Sequence, residues 1–410
     1  MNLIFFPRRN GGFSLVELMV SVVIALLALM FATRLVATSE KTKQASLGSS
    51  DAMQNGMVGL FSISGDAGQA GWGLNDPLLA GCNTVFSDTS GFVLATASRV
   101  AAGAATVVSP LAAAVIVSNG SNPDTLSLYS GSSMSGPGSL EVAADYATSA
   151  ALLSVNRRPY GFALGDVVAV ASEIAETPAA PNVCALSQIG IDPALQGAAV
   201  VPQTLGFTPA AGQRFNAAAL AAPFLSGKAR LFNMGPAASL SLHTWSINNG
   251  LLQLRATDLS GSEAVAKTVI DNVVSLKAQY GFDMRPAAIF AAPPAGPQIT
   301  RWSGTMVDAD GDGVTGNAGD YQRVVALRIA VVARSKNPDK PNVATNSCTA
   351  TLVKPTVFAK VEPVAVPIVP AVPIDVNVAV PGDTVDWKCY TYRVFETIVP
   401  LRNAGWRPNA

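Results

Sequence analysis

The sequence predicts an α+β protein in which one long N-terminal helix, its first half able to cross a membrane, is packed on an antiparallel β-sheet, with a large β-rich insertion. Three observations predict this. Residues 13–33 are an apolar run broken by one charge, Glu17. At about 1.5 Å of rise per residue the run reaches about 31 Å, enough to cross a bilayer core. Apolar residues at roughly helical spacing then continue to about Ile63. Beyond that point, short β-branched or alternating runs bounded by Gly, Pro, Asn and Ser take over, the pattern of strands and turns. The chain divides accordingly into residues 1–12, 13–36, 37–74, 75–265 and 266–410.

The first stretch is a short basic leader with Arg8 and Arg9, ending at Gly11 and Gly12. In the apolar run that follows, an acidic residue near the bilayer centre costs about 2.5 to 3.5 kcal/mol on insertion scales, so Glu17 is expected to have a partner. Ser14, Glu17 and Ser21 are spaced three and four apart and share one helix face, while Leu, Val, Ile and Met cover the others. Such a stripe suits a helix that leaves lipid to pack against copies of itself or relatives. A signal anchor with one tolerated glutamate is the plainer alternative.

The run Gly12-Phe13-Ser14-Leu15-Val16-Glu17-Leu18-Met19-Val20 resembles the processing site of type IV pilins and pseudopilins. The resemblance implies that a prepilin peptidase cuts after Gly12, that Phe13 becomes the N-methylated first mature residue, and that Glu17 becomes the fifth. It also implies that Glu17 pairs with the N-terminal amine of a neighbouring subunit during assembly, and pairing would neutralise both groups inside a filament core. The 12-residue leader is somewhat longer than the shortest of the class. The implied location is the bacterial inner membrane, crossed once with the C-terminal part periplasmic, and later a cell-surface pilus. Arg8 and Arg9 favour a cytoplasmic N-terminus, although Arg34, Lys41 and Lys43 blur that signal.

Residues 34–63 read as the outer half of the same helix, lying against the globular part. Gly48, Gly56 and Gly59 each weaken a helix by about 1 kcal/mol relative to alanine, so a kink or local melting is expected there. Asp66-Ala67-Gly68-Gln69-Ala70-Gly71-Trp72-Gly73 closes the helix and resembles the helix exit of PilW-type minor pilins, with Trp72 read as a core anchor. In the middle region, Ala113–Val117, Thr125–Tyr129, Asp166–Ser172 and Ala229–Asn233 read as strands, and Gly131–Gly138 and Ala210–Ala222 as surface loops. The clearest hairpin joins Ser239–Ile247 to Leu251–Ala256 through Asn248-Asn249-Gly250, where Asn-Gly supplies positive φ. His243, the single histidine, reads as a structural residue on that hairpin.

From Val269 onward the chain again resembles PilW-like proteins. Val324–Ser335 is the strongest strand, apolar enough to be buried on both sides, with Arg328 and Arg334 read as ordinary face-lining charges. The closing segment Cys389–Asn403 is similar to the last strand of that family. Between Lys354 and Asp383 recurrent prolines favour an extended apolar loop whose Val and Ile side chains offer a partner surface.

Charge and cysteine content narrow the function. The 27 basic and 27 acidic residues balance, and loss of Arg8 and Arg9 with the leader leaves 25 against 27. No basic field is available for nucleic acid, so none is predicted as a partner. One histidine and no C-x-x-C pair argue against zinc. Four cysteines in an exported chain predict two disulfides from three connectivities; the shared C-terminal segment pairs Cys348 with Cys389, which leaves Cys82 with Cys184. No cofactor is certain. Asp308, Asp310 and Asp312, with Gly313 after them, match the first half of a calcium (Ca2+) loop, but Gly319 stands where a bidentate glutamate belongs and Asp320 is one place late. A weak calcium site and a solvated acidic turn both remain open. No nucleophile motif or phosphate-binding glycine loop appears, so the chain reads as a non-enzyme.

The resemblance therefore implies a minor pilin that helps initiate or cap a type IV pilus, with a prepilin peptidase, other minor pilins, the major pilin and the inner membrane as partners. A minor pseudopilin of a type II secretion system, or a tip-located adhesin-like binding module, are the alternatives.

Overall fold

A computed structural model describes residues 14–131, 139–148, 150–193, 203–210, 212–216, 220–286, 296–342, 345–360 and 369–403. The architecture is α+β: a long N-terminal helix followed by a large, mostly antiparallel β-rich part.

Helix α1 runs unbroken from Leu15 to Gln69, 55 residues or about 82 Å of rod. The local melting expected at its glycines does not occur, because those glycines are where the helix meets the sheets and tertiary packing outweighs their low propensity. The chain leaves at Ala70, whose N–H still donates to Asp66, and turns through Gly71 and Gly73 at positive φ. Ala70 and Leu74 enter the core there, whereas Trp72 is half-exposed and is not the anchor expected of it.

Under the outer half of α1 lies a four-stranded antiparallel sheet, here the seat sheet, ordered Arg301–Ser303, Val273–Phe282, Val324–Arg334, Tyr392–Pro400. Val324–Arg334 is internal to it and buried on both faces, as its apolar run requires. One face takes α1. The other is covered by the proline-rich segment, whose Val357, Phe358, Val376 and Val378 pack on Val274, Ala330 and Val332. The described part of that segment is thus a strap over the sheet rather than an apolar loop open to a partner, since burial of those side chains stabilises more than exposure. Arg328 is likewise no ordinary surface charge: it is buried, donates to Glu396 and Lys360, and stacks on Phe358.

A second, five-stranded antiparallel sheet shares the core beneath α1. Its order is Lys267–Asp271, Leu251–Ala256, Ser241–Asn248, Thr125–Ser130, Ala114–Val117. The hairpin turn has Asn249 and Gly250 both at positive φ, the requirement of a tight two-residue loop. Trp245, Leu252 and Leu126 of this sheet, Leu276, Tyr280 and Leu327 of the seat sheet, and Ile63 and Ala67 of α1 form one continuous cluster. Behind it stands a six-stranded sheet centred on Asp166–Ser172 and Val183–Gln188, with its own apolar clusters on both faces. Phe215 and Leu220, in the stretch read as a surface loop, are buried there. Of the other expected loop, residues 132–138 lie outside the described residues.

Disulfides join Cys82 to Cys184, across neighbouring parallel strands of the six-stranded sheet, and Cys348 to Cys389, at the foot of the strap.

Candidate functional site

The site is α1 itself: an uncovered half, a seated half, and the joint that ends it. From Leu15 to Glu40 the helix is long and apolar enough to cross a membrane, and none of that span is buried by the described residues. Glu17 lies in its first turn, flanked by Ser14 and Ser21. Gly12 and Phe13 lie outside the described residues.

The seated half buries a stripe of mostly small residues. Gly48, Ala52, Gly56, Gly59, Ile63 and Ala67 are spaced three and four apart and all face the sheets. At Gly56 a Cβ would fall inside 3.0 Å of Cε2 and Cδ2 of Phe395, so the ring lies directly on the helix backbone. At Gly59 the neighbours are Leu252, Ile270 and Val331 at 3.3 to 3.7 Å, and at Gly48 the Cβ of Ser335 is 3.0 Å away. Polar contacts set the register along the same line: Asn55 Nδ2 donates to Asp271, and the Arg393 guanidinium to Ser49.

The joint at the far end is polar. Asp66 Oδ2 is 2.7 Å from His243 Nδ1 and accepts from Trp245 Nε1 at 2.8 Å, while Asp258 Oδ1 lies 2.7 Å from His243 Nε2. Burial alone would push the imidazole down, but hydrogen bonds to Asp258 and Asp66 outweigh it and raise its pKa to about 9. Burial also pushes Asp258 up, and the His243 contact overrides it to leave that carboxyl below its usual range. Ser241 Oγ is 3.0 Å from Nε2, so serine, histidine and aspartate meet in the order of a hydrolytic triad. The imidazole is nonetheless charged at neutral pH and its Nε2 already faces Asp258, so it cannot accept the serine proton. The arrangement clamps the end of α1 to the hairpin. His243 is structural, as its sequence context suggested, but Asp66 and Asp258 were missed as its partners. Only the conspicuous Asp66 at the helix exit could have pointed there.

Comparison with known families matches residues 245–403 to the model of type IV pilus-assembly protein W and residues 7–33 to the prokaryotic N-terminal methylation motif. The chain is PilW-like over residues 245–403 and pilin-like at its N-terminus. No curated protein and no solved structure matched it. The N-terminal match takes in the first part of the uncovered helix, and the C-terminal match carries the whole seat sheet, with Trp245, Phe395 and Arg393 inside it. The motif and helix fit a membrane-anchored pilin processed by a prepilin peptidase and associated with pilus components, and point to a structural role.

The acidic loop lies apart from this joint. Asp308, Asp310 and Asp312 each bring a carboxylate oxygen within 4.8 Å of the others, close enough for all three to touch one divalent cation. Each also holds the loop itself: Asp308 accepts from Gly311 and Gly313, Asp310 from Asp312, and Asp312 from Val314 and Asn317. Gly319 cannot carry the missing ligand, since its Cβ would fall within 3.0 Å of Asp310 Oδ2. Asp320 instead turns inward, accepting from Gly316 and Ala309, and burial raises its pKa to about 7. The residues fit three carboxylate ligands and no fourth from position 319.

Proposed function

We propose that this chain is a minor pilin subunit that helps initiate or cap a type IV pilus through α1. Residues 1–12 are the leader, removed between Gly12 and Phe13; residues 13–36 cross the inner membrane once, with the rest periplasmic, until the subunit joins other minor pilins and the major pilin. The single observation behind this reading is the bare apolar half of α1, with Glu17 in its first turn and no covering residue among the described ones. A carboxylate on a lipid-like rod is costly until a cation meets it, and the ammonium released four residues upstream by leader removal is the nearest cation that assembly supplies.

The reading is tested with Glu17→Ala in cells that make pili. Piliation and co-purification with other pilin subunits should be lost, while the mature chain, beginning with N-methylated Phe13 by mass spectrometry, remains in the membrane. Normal piliation with Glu17→Ala, or a native chain that keeps its first 12 residues, would refute it.

A further inference from the structure

The strand Tyr392–Pro400 runs away from the membrane-competent span: Arg393 meets Ser49, Phe395 meets Gly56, and Asn403 donates to the carbonyl of Gln69. The segments that precede Tyr392 and follow Arg334 therefore stand at the end of the seat sheet nearer that span. Three of them are tied together there as a foot. Ser335, against Gly48 of α1, donates its N–H to Thr391, and the Asp339 N–H donates to Cys389. Thr351 donates to Lys388 and Tyr390, beside the Cys348–Cys389 bridge. Next in the chain, Leu352 and Val353 are 72 and 79% exposed. Lys354 and Lys388 hold their Nζ atoms 5.8 and 5.7 Å from the centre of the half-buried Trp387 ring, and Lys336 and Lys340 are exposed on the neighbouring segment.

Distance selects what meets this foot. Gly48 is about 12 Å past Glu40, where the membrane-competent span ends, at 1.5 Å per residue. A headgroup layer takes up about 5 to 7 Å of that, so the foot stands within a Debye length, about 8 Å, of the bilayer surface. Charge narrows the choice. Lys336, Lys340, Lys354 and Lys388 outnumber Asp339 and Asp386, while Asp383 is already engaged by Arg334. Lysines around a tryptophan, with bare aliphatic side chains beside them, have the composition of an interfacial anchor: the cations attract anionic headgroups and the aliphatic groups enter the acyl boundary. We infer that the foot is a second membrane contact, in which these four lysines rest on anionic phospholipid headgroups and Leu352 and Val353 insert between them. This rests on the membrane-crossing reading of α1 proposed above. The contact orients the globular body on the bilayer before the subunit leaves lipid.

The test reconstitutes the full-length chain in vesicles of phosphatidylethanolamine and phosphatidylglycerol, with Leu352→Cys carrying an environment-sensitive fluorophore. The native cysteines are all in disulfides, so only the introduced thiol labels. The reference label is at Gly68→Cys, an exposed position with nothing within 4 Å of a Cβ. It lies about 42 Å past the end of the span. A nitroxide on the lipid headgroup should quench the label at position 352 at least about fivefold more than the label at position 68, which is beyond its reach. Exchanging phosphatidylglycerol for phosphatidylcholine, or combining Lys336→Glu with Lys340→Glu, should abolish the difference. Equal quenching at the two positions in anionic vesicles would overturn the inference, as would quenching at position 352 that survives zwitterionic lipid or charge reversal. So would a label shielded only in membranes from piliated cells, since a protein partner would then cover the foot. The underlying reading fails separately, through a label at Met19→Cys within the span. If a nitroxide on the acyl chain quenches that label while position 352 stays in water, the foot contact alone falls; if it does not, both fall.

Discussion

Replacing Gly56 with alanine opposes two effects of similar size on one helix. In an isolated helix the change stabilises by about 0.8 to 1.0 kcal/mol, because glycine loses more backbone freedom on ordering. In this protein the new Cβ would lie within 3.0 Å of two Phe395 ring carbons and 3.2 Å from a third, where carbon contacts settle near about 3.5 to 4.0 Å. Either the ring leaves its place on Tyr392–Pro400 or α1 lifts from its seat, and such overpacking costs about 1 to 3 kcal/mol. The net is a destabilisation of up to about 2 kcal/mol. Gly65 and Gly68 of the same helix have nothing within 4 Å of a Cβ, so alanine there should stabilise by about the full propensity gain. Urea unfolding of the mature chain in mild detergent should rank the Gly65→Ala midpoint above the parent and Gly56→Ala below it. Phe395→Leu should recover part of the Gly56→Ala loss in the double variant. If Gly56→Ala is as stable as Gly65→Ala, the ring does not rest on the helix and the seat is wrongly described.

Two further outcomes follow from buried charge. His243 has a folded pKa raised from 6.5 to about 9, so its stabilising contribution is complete below about pH 6.5 and is lost as pH rises through 9, a fall of about 3 kcal/mol. Unfolding followed by Trp fluorescence from pH 6 to 10 should show that slope, and His243→Gln should flatten it; an unchanged slope would mean that the clamp does not carry the charge. Lys277 and Asp124 form an ion pair with both side chains fully buried, the ammonium also donating to Gly120 and Asn122 and the carboxylate accepting from Asn119 and Ala278. Lys277→Met strands that carboxylate and should cost about 3 to 5 kcal/mol; a urea midpoint within error of the parent would show that the pair is not buried as described.

The order of elements was legible because it depends on local signals. A membrane-length apolar run, the Asn249-Gly250 turn and the two-sided apolar strand Val324–Arg334 each announce themselves within a dozen or so residues. The misread positions are those whose role depends on a distant neighbour. Trp72 sits beside buried residues in sequence yet faces outward. The Val and Ile side chains of the strap look sticky until the far face of the seat sheet appears beneath them.

By itself, the sequence determined that this chain has a lipid-soluble rod with one carboxylate, a processing motif before it and a β-rich body after it, since composition and short-range spacing decide all three. Tertiary structure alone decided which glycines of the rod are contacts and which are open, which carboxylates make His243 a cation, and which face of α1 stays bare. Those properties come from residues far apart in the chain, such as Gly56 and Phe395 or Asp66 and His243, and no local pattern encodes which of them meet.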